Sequence, residues 1–281
     1  MSSTTGLPPL REIIKHYGLG AKKSLGQHFL LDANLTDRIA RAAGSLENKH
    51  VVEIGPGPGG LTRSILGCGP ESLCVIERDQ RCIDALSGLQ EAYPAKLLIV
   101  EADAMKTELS CLTPRPSVII SNLPYNVGTA LLINWLNDLE GIERMILMFQ
   151  KEVAERIAAQ PGTSAYGRLA ILTQWLCHTR VLFNIDKRAF TPPPKVMSAV
   201  IEIIPREKTL AEADLSKLER VTQAAFGKRR KMLRQSLKAL GGETLLAQAG
   251  IDPQRRAETL SVEEFCTLAS VVSQVRETRL F

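Results

Sequence analysis

A repeating rhythm leaves this chain few folds to choose from. Over the first two thirds of its 281 residues, short apolar runs alternate with amphipathic stretches. Runs at 50–54, 73–77, 96–100, 117–121 and 145–149 have the length and composition of buried strands. Patterns at 79–88, 128–137 and 151–159 have helical spacing. Successive strand–helix–strand units join strands in parallel and place helices on both sheet faces. Two later runs, 179–185 and 198–204, lack a long helix between them. They predict an antiparallel hairpin at one sheet edge, connected through Thr191-Pro192-Pro193-Pro194, and bring the strand count to seven. Ahead of the first strand, Leu35, Ile39 and Ala42 predict a helix over the edge where a cofactor would lie.

Pro205 and the polar stretch after it mark a boundary. From Leu210 onward strand signals cease, and 215–225, 228–240 and 261–275 read as helices. Ser261 with Glu264 three residues on is a capping box. The expected organisation is a catalytic domain over 1–205, with a helical lid at 1–48, and a helical domain over 206–281. No run of ~20 apolar residues is present, as a membrane-spanning helix would require. Residues 1–10 lack a basic segment followed by an apolar core, so no secretory signal is expected. Six widely spaced cysteines without a C-x-x-C pair argue against zinc and for reduced thiols, and so for a cytoplasmic protein.

The net charge is only +5, but it is unevenly spread. Residues 220–242 hold seven Lys or Arg and no acid, centred on Lys228-Arg229-Arg230-Lys231 and followed by Arg234 and Lys238. Such a block is either a solvated helix face or a phosphate-binding surface.

A glycine turn closes the first strand: Val51-Val52-Glu53-Ile54-Gly55-Pro56-Gly57-Pro58-Gly59-Gly60. Gly55, Gly57 and Gly60 match the dinucleotide fingerprint, and Glu77 lies at a distance suited to a ribose, so an NAD enzyme is one reading. A pyrophosphate is held by backbone N–H groups, however, and Pro56 and Pro58 have none. S-adenosylmethionine carries no phosphate and needs only close backbone approach. Glu77 and Asp103 end the second and third strands, where ligands of parallel sheets collect. The first can bridge ribose hydroxyls, and the second can accept from an adenine amino group. Asn122-Leu123-Pro124-Tyr125 follows the fourth strand. An amide acceptor, a backbone bend and a flat ring together can hold a planar, amino-bearing base.

Seven segments in order resemble the ribosomal RNA adenine-N6 dimethyltransferases, and the bacterial small-subunit branch in particular. They are Ser24-Leu25-Gly26-Gln27-His28-Phe29-Leu30, the glycine turn from Glu53 to Thr62, Glu77-Arg78-Asp79, Ala102-Asp103-Ala104 and Ser121-Asn122-Leu123-Pro124-Tyr125. Phe190-Thr191-Pro192-Pro193-Pro194-Lys195-Val196 and Ala225-Phe226-Gly227-Lys228-Arg229-Arg230-Lys231 complete the set. The match covers nearly the whole chain. His28 stands where many relatives have Asn, Pro58 where Leu is common and Met232 where Thr is frequent.

The resemblance implies a Rossmann-like class I methyltransferase, with a seven-stranded, mostly parallel sheet and a small all-α C-terminal domain. It implies S-adenosylmethionine as cofactor, with Gln27, His28, Leu30, Gly55, Gly57, Glu77, Asp103 and Asn122 around it and position 28 serving largely through its backbone. Asn122 Oδ1 and the Pro124 carbonyl would accept the two N–H bonds of an adenine N6. Tyr125 would stack on the base, with Phe190 closing its other face. Lys195, Lys228, Arg229, Arg230, Lys231 and Arg234 would meet RNA. The implied partner is 16S rRNA in the small ribosomal subunit, approached by a monomer without metal or membrane. Two other expectations remain open: a 23S rRNA methyltransferase, and a non-catalytic assembly factor of the same fold. His16, His50 and His178 have no carboxylate or Cys partner at ligand spacing and are assigned no role.

Overall fold

A computed structural model describes residues 6–20, 27–228 and 230–277. Two short strands, β1 (Phe29–Leu30) and β8 (Phe190–Thr191), pair with each other. The other seven strands form one sheet: β2 (His50–Ile54), β3 (Ser72–Glu77), β4 (Leu97–Glu101), β5 (Ser117–Asn122), β6 (Ile142–Gln150), β7 (Cys177–Ile185) and β9 (Ser198–Pro205). Their order is β4-β3-β2-β5-β6-β9-β7. The pairs β3–β4, β2–β3, β2–β5 and β5–β6 are parallel, and β6–β9 is antiparallel. Each strand expected from the apolar runs is present within a few residues of its expected ends, and β7 lies at the sheet edge as the hairpin reading requires. Adjacent residues such as Val51 and Val52, or Ile119 and Ile120, are all fully buried, so helices cover both faces.

The chain order runs outward from β2 to β4, then returns to β5 on the other side of β2. At such a reversal the loops after neighbouring strands diverge and leave a crevice beyond the carboxyl ends. Helix Ala33–Arg41 is present where the apolar spacing places one, and Ile39 and Ala40 are buried against Leu61 and Ile65.

The chain divides into two compact units, 1–154 with 180–205, and 155–179 with 206–281. The second unit resumes at residue 206, after β9. Residues 155–179, expected within the first domain, instead group with the second. Their side chains explain it: Tyr166, Ile171 and Trp175 share a core with Leu218, Val221 and Phe265. The Trp175 indole N–H also donates to the Ala211 carbonyl at 2.8 Å.

One helix is corrected. Residues 228–240 do not form a single helix. A turn follows Gly227, and only Leu233–Ser236 is α-helical, with a 3-10 turn at Lys238–Leu240. The amides of Leu233 and Arg234 donate to the carbonyls of Arg255 and Pro253, a distant segment, rather than to the preceding turn. The capping box does form: Ser261 N–H donates to Glu264 Oε2 at 2.7 Å, and Glu264 N–H to Ser261 Oγ at 3.2 Å. Among the described residues, no helix is long and apolar enough to cross a membrane.

Candidate active site

The crevice beyond β2–β5 is lined by Gln27, His28, Leu30, Gly55, Gly57, Glu77, Asp103, Asn122, Pro124 and Tyr125. These are ten residues from five distant stretches of sequence, brought together by the strand ends. Backbone geometry explains the glycines at two places. Gly57 has φ +55°, and a Cβ there would press on the Phe29 ring at 3.1 Å. A Cβ on Gly60 would meet the Leu30 carbonyl oxygen at 2.7 Å, so the turn and the N-terminal segment close-pack only because both lack side chains.

The turn's amides are engaged within the protein. Gly55 N–H donates to the Ile76 carbonyl, Gly59 N–H to the Pro56 carbonyl, and Gly57 N–H to Glu77 Oε2 at 3.2 Å. With Pro56 and Pro58 lacking donors, these five residues offer a pyrophosphate no free amide. The acids point to a different ligand. Glu77 is buried at the end of β3, and its Oε1 accepts from the amides of Arg78 and Asp79. Burial pushes its carboxyl upward, and the three backbone N–H bonds pull the other way. With three of about four lone-pair positions filled, it retains room for a hydroxyl donor. Asp103 caps the turn Ala104–Lys106 through Oδ1, while Oδ2 faces the Arg78 guanidinium at 4.0 Å.

Glu53 lies deeper on the same wall. It is 1% exposed, and Oε2 has no hydrogen-bond partner among the described residues. Burial, with the nearby Glu77 charge adding to it, raises its carboxyl to about 8. A pocket with a hydroxyl acceptor, a second carboxylate and no free turn amide suits a nucleoside without phosphate.

Asn122, the last residue of β5, is held from two directions. Ser121 Oγ donates to the Ile54 carbonyl at 2.6 Å, tying the ends of β5 and β2 together. Asn122 Nδ2 donates to the His28 carbonyl at 3.2 Å, which orients the amide and leaves Oδ1 as its acceptor. Position 28 thus meets Asn122 through its backbone carbonyl.

The Pro124 carbonyl is a correction. It accepts from both Val127 N–H at 3.1 Å and Gly128 N–H at 2.9 Å, opening the helix Gly128–Leu136. Both lone pairs are therefore engaged, and it is not free for a substrate N–H. The carbonyl of Leu123, one residue earlier, has no partner among the described residues.

The aromatic groups meet around His28. Its ring is tilted against Tyr125 with centroids 5.4 Å apart, and stands edge-on to Phe190 at 6.4 Å. Its Nδ1–H donates to the Pro192 carbonyl at 2.8 Å. The Tyr125 hydroxyl hydrogen-bonds to that of Ser198, and burial raises its pKa. Phe190, 2% exposed and paired with Leu30 across β1–β8, packs against His28. Ser198 lies 73 residues from Tyr125, and no local pattern marks it as a neighbour.

Lys195 is exposed on the loop after β8. Lys228, Arg230, Lys231 and Arg234 are exposed in the second unit, where Arg234 also faces Glu243 at 3.6 Å. Arg229 lies outside the described residues. Among the described residues, no group of three or more His, Cys, Asp or Glu is placed to hold a metal ion.

The seven-stranded sheet, its antiparallel hairpin edge and a crevice without phosphate donors define a Rossmann-like methyltransferase. The model of the family described as ribosomal RNA adenine dimethylase matches residues 18–274, and the chain belongs to that family. It is 58% identical to the ribosomal RNA small subunit methyltransferase A of Paramagnetospirillum magneticum, over 94% of each chain. Identity to the protein of the same name from Agrobacterium fabrum is 56%, over 96% of this chain and 99% of that one. Among solved structures, a dimethyladenosine transferase from Plasmodium falciparum aligns with a TM-score of 0.74 at 26% identity, covering 86% of this chain and 96% of that one. The 23S rRNA methyltransferase ErmE aligns at 0.66 and 26%, covering 88% and 100%.

Proposed function

We propose that this chain transfers methyl groups from S-adenosylmethionine to the N6 of two adjacent adenosines near the 3′ end of 16S rRNA. The substrate is the assembling small ribosomal subunit, and the enzyme acts as a cytoplasmic monomer. The observation that carries the reading is the oriented amide of Asn122, whose Nδ2 is engaged by His28 while Oδ1 stays an acceptor beside the cofactor pocket. Relatives more than half identical over nearly the full length are named for the small subunit, which favours that substrate over 23S rRNA.

When bound, S-adenosylmethionine supplies an electrophilic sulfonium methyl. Glu77 would take a ribose hydroxyl and Asp103 the adenine amino group, with Gln27, His28, Leu30 and Asn122 at the methionine end. The target N6 is a weak nucleophile because its lone pair is delocalised into the ring. Asn122 Oδ1 accepts one N6–H, and the Leu123 carbonyl takes the role first expected of Pro124. Two acceptors on one side favour a pyramidal nitrogen and turn its lone pair to the other side. Such positioning can supply ~7–11 kcal/mol of the barrier. No strong base is needed, because N6 becomes acidic as it is alkylated.

Tyr125, braced by Ser198, offers its face to the base, a stacking worth ~1–3 kcal/mol. The His28 ring packs against that residue and is tied to the Pro192 carbonyl. Incubating the protein with labelled S-adenosylmethionine and under-methylated ribosomal subunits tests the reading. Label on small subunits is expected, and label only on large subunits would move the assignment to 23S rRNA.

A further inference from the structure

Outside the cofactor pocket, the first unit carries a second groove between helix Ala33–Arg41 and strand β7. Arg38, Arg41 and Arg180 line it, with Asp37 as their one acidic neighbour on the wall. The Arg38 guanidinium carbon lies 3.8 Å from the centroid of the Phe183 ring. Stacking of this kind restrains a long side chain while leaving its N–H edge available. Arg180 makes two bonds to Glu202 Oε2, at 3.2 and 2.9 Å, yet its side chain stays 72% exposed. Glu202 also takes Arg144 at 3.1 Å, so one buried carboxylate is shared by two guanidinium groups. Asp37 is likewise engaged, accepting from Ser64 Oγ at 2.6 Å. Positive charge is therefore left over, with Arg38 and Arg180 restrained.

Both walls run straight into the target-base region. The helix begins three residues after β1. Phe183 is seven residues before Phe190 of β8, a span of at most about 25 Å even when fully extended. β1 and β8 pair with each other, and Phe190 packs against His28. A strand of RNA delivering a base to Tyr125 would pass this groove within a few nucleotides.

We propose that the groove is a phosphodiester-binding subsite, holding the substrate RNA backbone beside the target adenosine through Arg38, Arg41 and Arg180. The assignment rests on the proposed function for its substrate, and on the arginine geometry for its chemistry. The test is the full-length double variant Arg38→Glu/Arg41→Glu, compared with wild type for affinity toward under-methylated small subunits across a salt series. Binding should weaken several-fold, and the slope of log K against log[salt] should become shallower by about 1–2. KM for subunits should rise while kcat at saturation and S-adenosylhomocysteine affinity stay near wild type. Unchanged affinity and slope would overturn the subsite. If charge reversal damages the helix and S-adenosylhomocysteine binding falls too, Arg38→Gln/Arg41→Gln decides: the shallower slope supports the subsite, and a wild-type slope rejects it. A wild type that transfers no methyl group, with the same loss of slope in the variants, would overturn the proposed function and leave the groove standing.

Discussion

Asn122 donates through Nδ2 and keeps Oδ1 as an acceptor. Asn122→Ala removes the acceptor, and by analogy with loss of one oriented transition-state partner should lower kcat about a hundredfold or more. Subunit binding measured on the same preparation should remain near wild type, and equal loss of both would contradict the assigned role. Glu53 allows a test by pH. Its carboxyl titrates near 8 in the folded chain, against 4.5 ordinarily. The folded state therefore holds a proton that the unfolded state releases, and stability falls as pH rises from about 4.5 to 8. Glu53→Gln removes that term. Melting temperature without cofactor should vary less with pH across this window, with the variant gaining on wild type toward pH 8. Parallel profiles would show that Glu53 does not titrate as its burial implies. At this scale the sequence marked side chains that the fold brings to one pocket, because each lies at a strand end. It could not show that the Pro124 carbonyl is already engaged, since that depends on how the next helix begins.

The elements were legible where pattern and length agreed. Apolar runs bounded by turn residues located the seven sheet strands, and the capping box located the start of the last helix. The two-residue strands β1 and β8 were not visible, being too short for any periodicity. Helix Arg168–Leu176 carries Leu169-Ala170-Ile171-Leu172, an apolar run that suits a buried strand equally well. The basic run after Gly227 looked helical by propensity, and hydrogen bonds from the Leu233 and Arg234 amides to the 253–255 segment decided otherwise. Gly60→Ala should disturb the contact between the glycine turn and β1, because its Cβ would meet backbone at Leu30. Overpacking of this kind costs about 1–3 kcal/mol, and S-adenosylhomocysteine affinity should fall with it. Calorimetric affinity equal to wild type would reject that close approach. Ser261→Ala removes half of the capping box and should cost about 1 kcal/mol in chemical denaturation.

For the whole molecule, one unit holds the crevice and the residues proposed to meet the target base, and the other presents exposed Lys228, Arg230, Lys231 and Arg234. The parallel sheet and its reversal between β2 and β5 put the pocket where the glycine turn, Glu77, Asp103 and Asn122 converge. That convergence was legible because each residue follows a strand. The grouping of 155–179 with the C-terminal residues was not, because it depends on contacts between segments far apart in sequence. The central claim is that this convergence delivers methyl groups to adenine N6. It is tested most directly by mapping the modified nucleotides after reaction with under-methylated small subunits. The account predicts N6,N6-dimethyladenosine at two adjacent positions near the 3′ end of 16S rRNA. Methylation at another atom or in another RNA, with those two adenosines unmodified, would contradict it.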